Sequence, residues 1–241
     1  MSAQPDITPK MRSILVDWLI EVHYKFRLQP LTLWLCINIL DRYLMGNHIL
    51  RAKLQLVGVT ALFIACKYEE VYPPEVTDCV YITDNAYEKK DVLAMETAIL
   101  KHLDYQICIP TGYHFLNRYL NSIQASERTR NLASYYAERN LQEVDCLNAA
   151  PHHLAAAALY AALRQETCEF GDALRKASHW CLTLQEESGL KEQDIINLAR
   201  TLVRHVGEDI ETASRRRLVA AKKKYGTEKT QQISALPLPI F

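Results

Sequence analysis

Lys67, Tyr68, Glu69 and Glu70 stand directly behind the most apolar run of the chain, for between Leu54 and Cys66 only Gln55 and Thr60 are polar. Pro73 and Pro74 prevent a helix over that run from continuing, so these ionisable and phenolic groups are delivered at one exit point. A lysine so placed is expected to be partly buried and to need a carboxylate, and Glu96, within an otherwise apolar run, is the best candidate. Such a pair would lock two helices together; its chemistry is recognition rather than bond-making.

A second constellation lies near the N-terminus. Met11, Ile14, Leu15 and Trp18 follow the i, i+3, i+4, i+7 spacing of one helix face, while Val16, Leu19, Ile20 and Val22 load another side of the same helix. Two apolar stripes need two covering surfaces. The pattern favours burial of both; the alternative is a docking patch, with Asp17 and Glu21 close enough to read a cationic side chain of a ligand.

Catalytic constellations do not emerge. No Gly-x-Gly-x-x-Gly or Walker-type loop and no Gly-x-Ser-x-Gly elbow occurs among the seven glycines. His152 and His153 are adjacent, hence about 100° apart around a helix and poorly placed to share a metal. The expectation is a protein without catalytic residues, metal or cofactor.

The elements that must position these side chains are helices. Glycine is scarce, prolines fall between apolar-periodic segments, and no strand alternation is evident. Thr8-Pro9 opens a helix running to about Arg27, Pro30 opens one through Gly46, and Lys53–Glu70 forms a central axle, apolar nearly all round. Gly58, Ala61 and Ala65 give that axle a small-residue strip against which a neighbour can pack closely. A short helix after Pro73-Pro74, with Glu75 in its first turn, and one over Tyr87–His102 complete five.

Pro110-Thr111 starts a second series, predicted over Tyr113–Ile123, Ser126–Cys146, Pro151–Glu166, Gly171–Leu182 and Ser188–Val206. Residues 60–67 (TALFIACK) match residues 157–164 (AALYAALR) in pattern, 97 positions later, a period that suits a duplicated helical domain rather than a solenoid. The expected boundaries are therefore 1–109, 110–207, and a basic C-terminal helix with an extended tail over 208–241. That last part carries Arg215–Arg217 and Lys222–Lys224, which read either as a solvated face or as a phosphate- or import-recognition stretch.

Composition limits the partners. The 28 basic and 28 acidic residues balance, so nothing global points to nucleic acid or membrane. The seven cysteines are scattered, never as Cys-x-x-Cys, and read as reduced thiols of a soluble intracellular protein. No run is long and apolar enough for a transmembrane helix, and the polar first ten residues do not read as a signal peptide.

MRSILVDWL at 11–19, LDRYL at 40–44, KLQLVGVTA at 53–61, CKYEE at 66–70, YPPE at 72–75 and YITD at 81–84 together resemble the cyclin family, in its order and spacing. The likeness is greatest to mitotic B-type members, with A-type close. It is strong over about 4–110, weaker beyond, and returns at KTQQISALP in the tail. The resemblance implies an all-α protein of two tandem five-helix cyclin folds. It further implies a non-catalytic subunit, nuclear and cytoplasmic, that binds and activates a cyclin-dependent serine/threonine kinase in the cell cycle.

By that resemblance Arg12, Asp41, Leu56, Lys67 and Glu96 match the family's box residues. Lys67, Tyr68, Glu69, Glu70, Glu96, Tyr105 and Ile107 would face the kinase and hold its mobile helix inward. Met11, Ile14, Leu15, Trp18, Glu21, Leu54 and Gln55 would form a groove for Arg-x-Leu motifs of substrates or inhibitors, the apolar groups taking the leucine and Glu21 the arginine. Two departures stand out. Only ten residues precede Met11 where the family carries a further helix and a degradation motif, which reads as a truncated lead-in with weakened kinase contact, and Cys66 replaces a commoner serine. The alternative reading is a cyclin-fold transcription factor that binds DNA or polymerase machinery through the basic stretch.

Overall fold

The computed structural model describes residues 4–168, 180–211 and 218–239. They divide into two compact units, Met1–Thr111 and Gly112–Phe241.

In the first unit, α1 (Pro9–Lys25) begins where Thr8 Oγ1 accepts a hydrogen bond from Met11 N at 3.3 Å, with proline in the first turn. The missing proline N–H falls where a helix has no partner for one. α2 (Pro30–Gly46) also has proline in its first turn, but its N-cap residue Gln29 makes no side-chain capping bond. A 3-10 turn at Arg51–Lys53 leads into α3 (Leu54–Glu69), followed by α4 (Val76–Ile82) and α5 (Lys89–His102). Both α4 and α5 open on capping boxes, Glu75 with Asp78 and Glu88 with Asp91.

α3 is the axle. Every residue from Leu56 to Cys66 is buried, and α1, α2, α4 and α5 all pack on it. Leu56, Val59 and Phe63 of α3 form one core cluster with Cys79 and Val92, and Trp18 closes its edge. Gly58 shows why a glycine is tolerated here: a Cβ would come within 2.8 Å of Leu15 Cδ1, so α1 approaches through the gap.

The second unit repeats the plan around α8 (Pro151–Cys168), packed against α6 (Gly112–Ser122), α7 (Glu127–Asn140) and α10 (Glu192–Glu211). Residues Ala155–Ala158 are fully buried. The pattern shared by 60–67 and 157–164 therefore marks the central helix of each unit.

Three expected helices need correction. The helix expected over Ser126–Cys146 ends at Asn140, whose Nδ2 donates to Tyr136 O at 2.8 Å and to Leu202 O at 3.4 Å; the amide takes up the carbonyls and the chain turns into a 3-10 segment at Val144–Asn148. Ser188 ends a helix instead of beginning one. α9 (Leu182–Ser188) stops at Gly189, in the left-handed region at φ 70°, and α10 starts afresh at Glu192. Residues 171–179 of the expected Gly171–Leu182 helix, and Arg215–Arg217, lie outside the described residues, while Trp180 and Cys181 are not helical.

The last described part packs on the second unit. α11 (Ala220–Tyr225) lies against α7, where Glu138, 2% exposed, accepts from Lys224 Nζ at 2.6 Å and from Tyr225 OH at 2.8 Å. Lys224 is thus an inward-facing anchor, not part of a solvated basic face. Further on, Gln165 Nε2 donates to Pro237 O at 2.8 Å.

Candidate binding surfaces

The two apolar stripes of α1 meet different fates. Val16, Leu19, Ile20 and Val22 are buried in the core. The other stripe stays partly open, with Ile14 50% exposed, and the expectation that both are buried is corrected. Met11, Ile14, Leu15 and Trp18 meet Arg51, Leu54 and Gln55 across a groove of about 400 Å³. Its floor exists because Leu15 sits over the gap at Gly58, which draws α1 and the start of α3 together.

At the other end of α3, Lys67 Nζ forms an ion pair with Glu96 on α5 and lies 4.4 Å from the centroid of the Phe63 ring. The lysine side chain is 44% exposed, less covered than its apolar run suggests, and its stem follows the aromatic face while the ammonium reaches the largely buried carboxylate. α3 and α5 are thereby tied at the point where the chain leaves the core. Around that tie Tyr68, Val71, Tyr72 and Tyr105 are exposed, Tyr72 to 91%.

The family model described as cyclin, N-terminal domain, matches residues 1–108, and the one described as cyclin, C-terminal domain, matches residues 110–239. The chain belongs to the cyclin family. Cyclin-B1-4 of Arabidopsis thaliana is 42% identical over 240 residues, 98% of this chain and 59% of the relative. The G2/mitotic-specific cyclin-B2 of Oryzias luzonensis is 39% identical over 234 residues, 96% of this chain and 57% of the relative. This cyclin chain thus spans less than three-fifths of either relative. A viral cyclin from herpesvirus saimiri has the same fold, with a TM-score of 0.74 at 23% identity over 86% of this chain and 89% of that one.

Within the cyclin fold, the side chains named from the sequence separate into groups. Glu70 is engaged within its own unit: its carboxylate accepts from Gln29 N at 2.7 Å and from Thr32 Oγ1, capping the start of α2. Glu69 is half-buried at the end of α3. Tyr68 hydrogen-bonds Cys108, and that bond is the main reason its hydroxyl titrates above the ordinary tyrosine range. This brings Tyr68 beside the segment of Tyr105 and Ile107. Asp104 and Tyr105 follow α5 in the left-handed region, at φ 50° and 56°, a conformation that costs a side chain about 1 kcal/mol and needs support. Arg42 Nη1 supplies it by donating to Gln106 O at 2.8 Å.

Glu21 is exposed on α1, one turn beyond Trp18, and does not line the groove. Arg51 does line it, and sequence reading missed it because a 3-10 turn carries no periodic signal.

The buried cysteines of the cyclin's first unit are packing groups. Burial pushes the Cys79 thiol up to about 12 and raises Cys36 and Cys66 as well, so all three stay protonated at neutral pH. Of the exposed cysteines, Cys108 bonds Tyr68 as described, and Cys181 occupies the N-cap position of α9 without a side-chain capping bond. The His152 and His153 ring centroids lie 4.4 Å apart with the rings tilted by 50°, and among the described residues no three His, Cys, Asp or Glu side chains are grouped to hold a metal. No helix of the described residues is long and apolar enough to cross a membrane.

Proposed function

We propose that this chain is the regulatory subunit of a cyclin-dependent serine/threonine kinase, a B-type cyclin acting in the cell cycle at G2/M. It binds the kinase with the end of α3 and holds substrates or inhibitors carrying Arg-x-Leu in the α1–α3 groove. The observation that carries the reading is the Lys67–Glu96 tie, which fixes the α3 exit beside exposed Tyr68, Val71, Tyr72 and Tyr105. Exposed aromatic and aliphatic groups on a rigid support are what a partner surface needs.

Such a subunit acts by binding the active form of the kinase better than the inactive one; a preference of about 5.5 kcal/mol turns a 1:99 population into 99:1. The groove adds a tether that raises the local concentration of a docked substrate. The names of the B-type and G2/mitotic-specific relatives support the cell-cycle assignment.

Co-precipitation with a purified cyclin-dependent kinase tests the reading. Lys67→Ala and Glu96→Ala are expected to weaken binding by about tenfold or more, an interface hot-spot effect, with circular dichroism still helical. Unchanged binding in both variants overturns it. The alternative, DNA recognition by the basic stretch, loses support because Lys224 is committed to Glu138.

A further inference from the structure

Tyr72 is the most exposed tyrosine of the chain, and it differs from the other exposed ones in its backbone. Tyr24, Tyr68 and Tyr81 stand within α1, α3 and α4, and Tyr105 N donates to Leu100 O at 2.9 Å in the turn that ends α5. Among the described residues no hydrogen bond reaches Val71 or Tyr72. Pro73 and Pro74 fix their own φ and hold the residue before each of them extended, so Tyr72 presents an extended backbone to water. The segment is nevertheless anchored at both ends. Glu70, extended at ψ 141°, caps α2 through its carboxylate, and Glu75, extended at ψ 163°, opens α4 in a capping box.

Such a segment fits the active site of a protein kinase, which takes the acceptor residue on an extended backbone and must unwind any helix that carries it. Much of the ordering entropy of Val71–Pro74 is already lost in the folded chain, so little is left to oppose its capture. Its surroundings are acidic in sequence: residues 69–88 include Glu69, Glu70, Glu75, Asp78, Asp84 and Glu88 and no basic residue. A kinase with a basic substrate groove is steered toward such a segment.

We propose that Tyr72 is a phosphorylation site for a protein-tyrosine kinase that prefers acidic segments, and that phosphate there blocks binding of the cyclin-dependent kinase; the second half rests on the binding surface proposed above. The phenolic oxygen bonds to the γ-phosphorus of ATP, the bond from that phosphorus to the ADP oxygen breaks, and the phenolic proton passes to the catalytic aspartate of the tyrosine kinase. A charge of about −1.5 to −2 then stands on the face that carries Tyr68 and Val71. The nearest cation in sequence, Lys67, is held by Glu96, so a phosphate buried against a partner gains no free counter-charge from it.

Incubation of the chain with a purified protein-tyrosine kinase of acidic preference and ATP, followed by mass spectrometry, tests the site. Phosphate is expected on Tyr72, with Tyr24, Tyr68, Tyr81 and Tyr105 modified at least about tenfold more slowly because each must first open locally. Equal rates at a helical tyrosine, or no phosphate on Tyr72, overturn the proposal. The phosphorylated chain is expected to bind a purified cyclin-dependent kinase about tenfold more weakly or worse, and a preformed complex to resist phosphorylation. Tyr72→Phe should take up almost no phosphate in the same time, and its own affinity, whatever its value, should not change on treatment. Equal or tighter binding after phosphorylation of Tyr72 overturns the switch. Failure of the untreated chain to bind any cyclin-dependent kinase overturns the binding surface and the switch together, while the modification site still stands or falls on the mass spectrum.

Discussion

Arg12 Nε and Nη2 donate to the two carboxylate oxygens of Asp41 at 2.6 and 2.7 Å, so α1 and α2 are joined by a two-pronged, charge-assisted bond from a fully buried guanidinium. α1 therefore hangs from the core at Arg12, between the groove residues Met11 and Ile14. Removing one partner takes this two-pronged bond away from the other charge. Arg12→Ala and Asp41→Ala are each expected to cost about 3 kcal/mol or more, read from urea denaturation midpoints. Replacing both residues with leucine and methionine should cost less than either single alanine, because no charge is then left behind.

The second unit should weaken on acidification through His205. This ring is buried, with Nδ1 2.7 Å from Asn140 Oδ1, and its pKa is lowered, chiefly by burial. Arg139 and Arg204 lower it further, while Glu143 and Glu208 oppose the shift. The folded state then binds fewer protons than the unfolded chain, whose histidines titrate near about 6.5, so stability is retained above that pH and lost as pH falls below it. His205→Asn should flatten the difference between denaturation midpoints at about pH 7.5 and about pH 5.5. An unchanged pH dependence in that variant would show that another group is responsible.

Lys224 and Tyr225 converge on the same buried carboxylate, Glu138, and the tyrosine, its pKa raised well above the usual range chiefly by burial, remains a donor at all ordinary pH. Glu138→Ala leaves an ammonium and a hydroxyl enclosed without their acceptor and is expected to cost about 3–5 kcal/mol. Limited proteolysis supplies a second readout: cleavage around α11 should accelerate in Glu138→Ala and return toward wild type in the paired change Glu138→Gln with Lys224→Met.

What the sequence reveals and what it hides follow from the range of the interactions. Helix starts at Thr8-Pro9 and Pro30 are legible because proline, joined at Thr8 by an N-cap, acts within one turn. The Met11–Trp18 stripe is legible because it is periodic, and Glu96 as the partner of Lys67 because it is a lone acid in an apolar run. Glu70 capping α2, Asn140 binding Leu202 O and Lys224 meeting Glu138 join residues 38 to 86 positions apart. Each of those polar side chains looks solvated in sequence, since nothing local announces a distant partner. Arg51 is hidden for a local reason, since the 3-10 turn that carries it has no periodic signal, although it runs straight into Leu54 and Gln55 of the groove.

Gly58 separates stability from docking. A methyl group at this position gains about 1 kcal/mol of helix propensity but would lie 2.8 Å from Leu15 Cδ1, the far end of a side chain that also lines the groove. Leucine can yield only toward open space, into the groove, because its other side faces packed α3. The displacement and the propensity gain oppose each other, so Gly58→Ala should change the denaturation midpoint little, by about 1 kcal/mol or less in either direction. The groove, however, becomes shallower where the leucine of a docked segment would sit. Peptide affinity should fall about tenfold while kinase co-precipitation, which uses the far end of α3, is retained, and a parallel loss of both would mean that the helix itself had shifted.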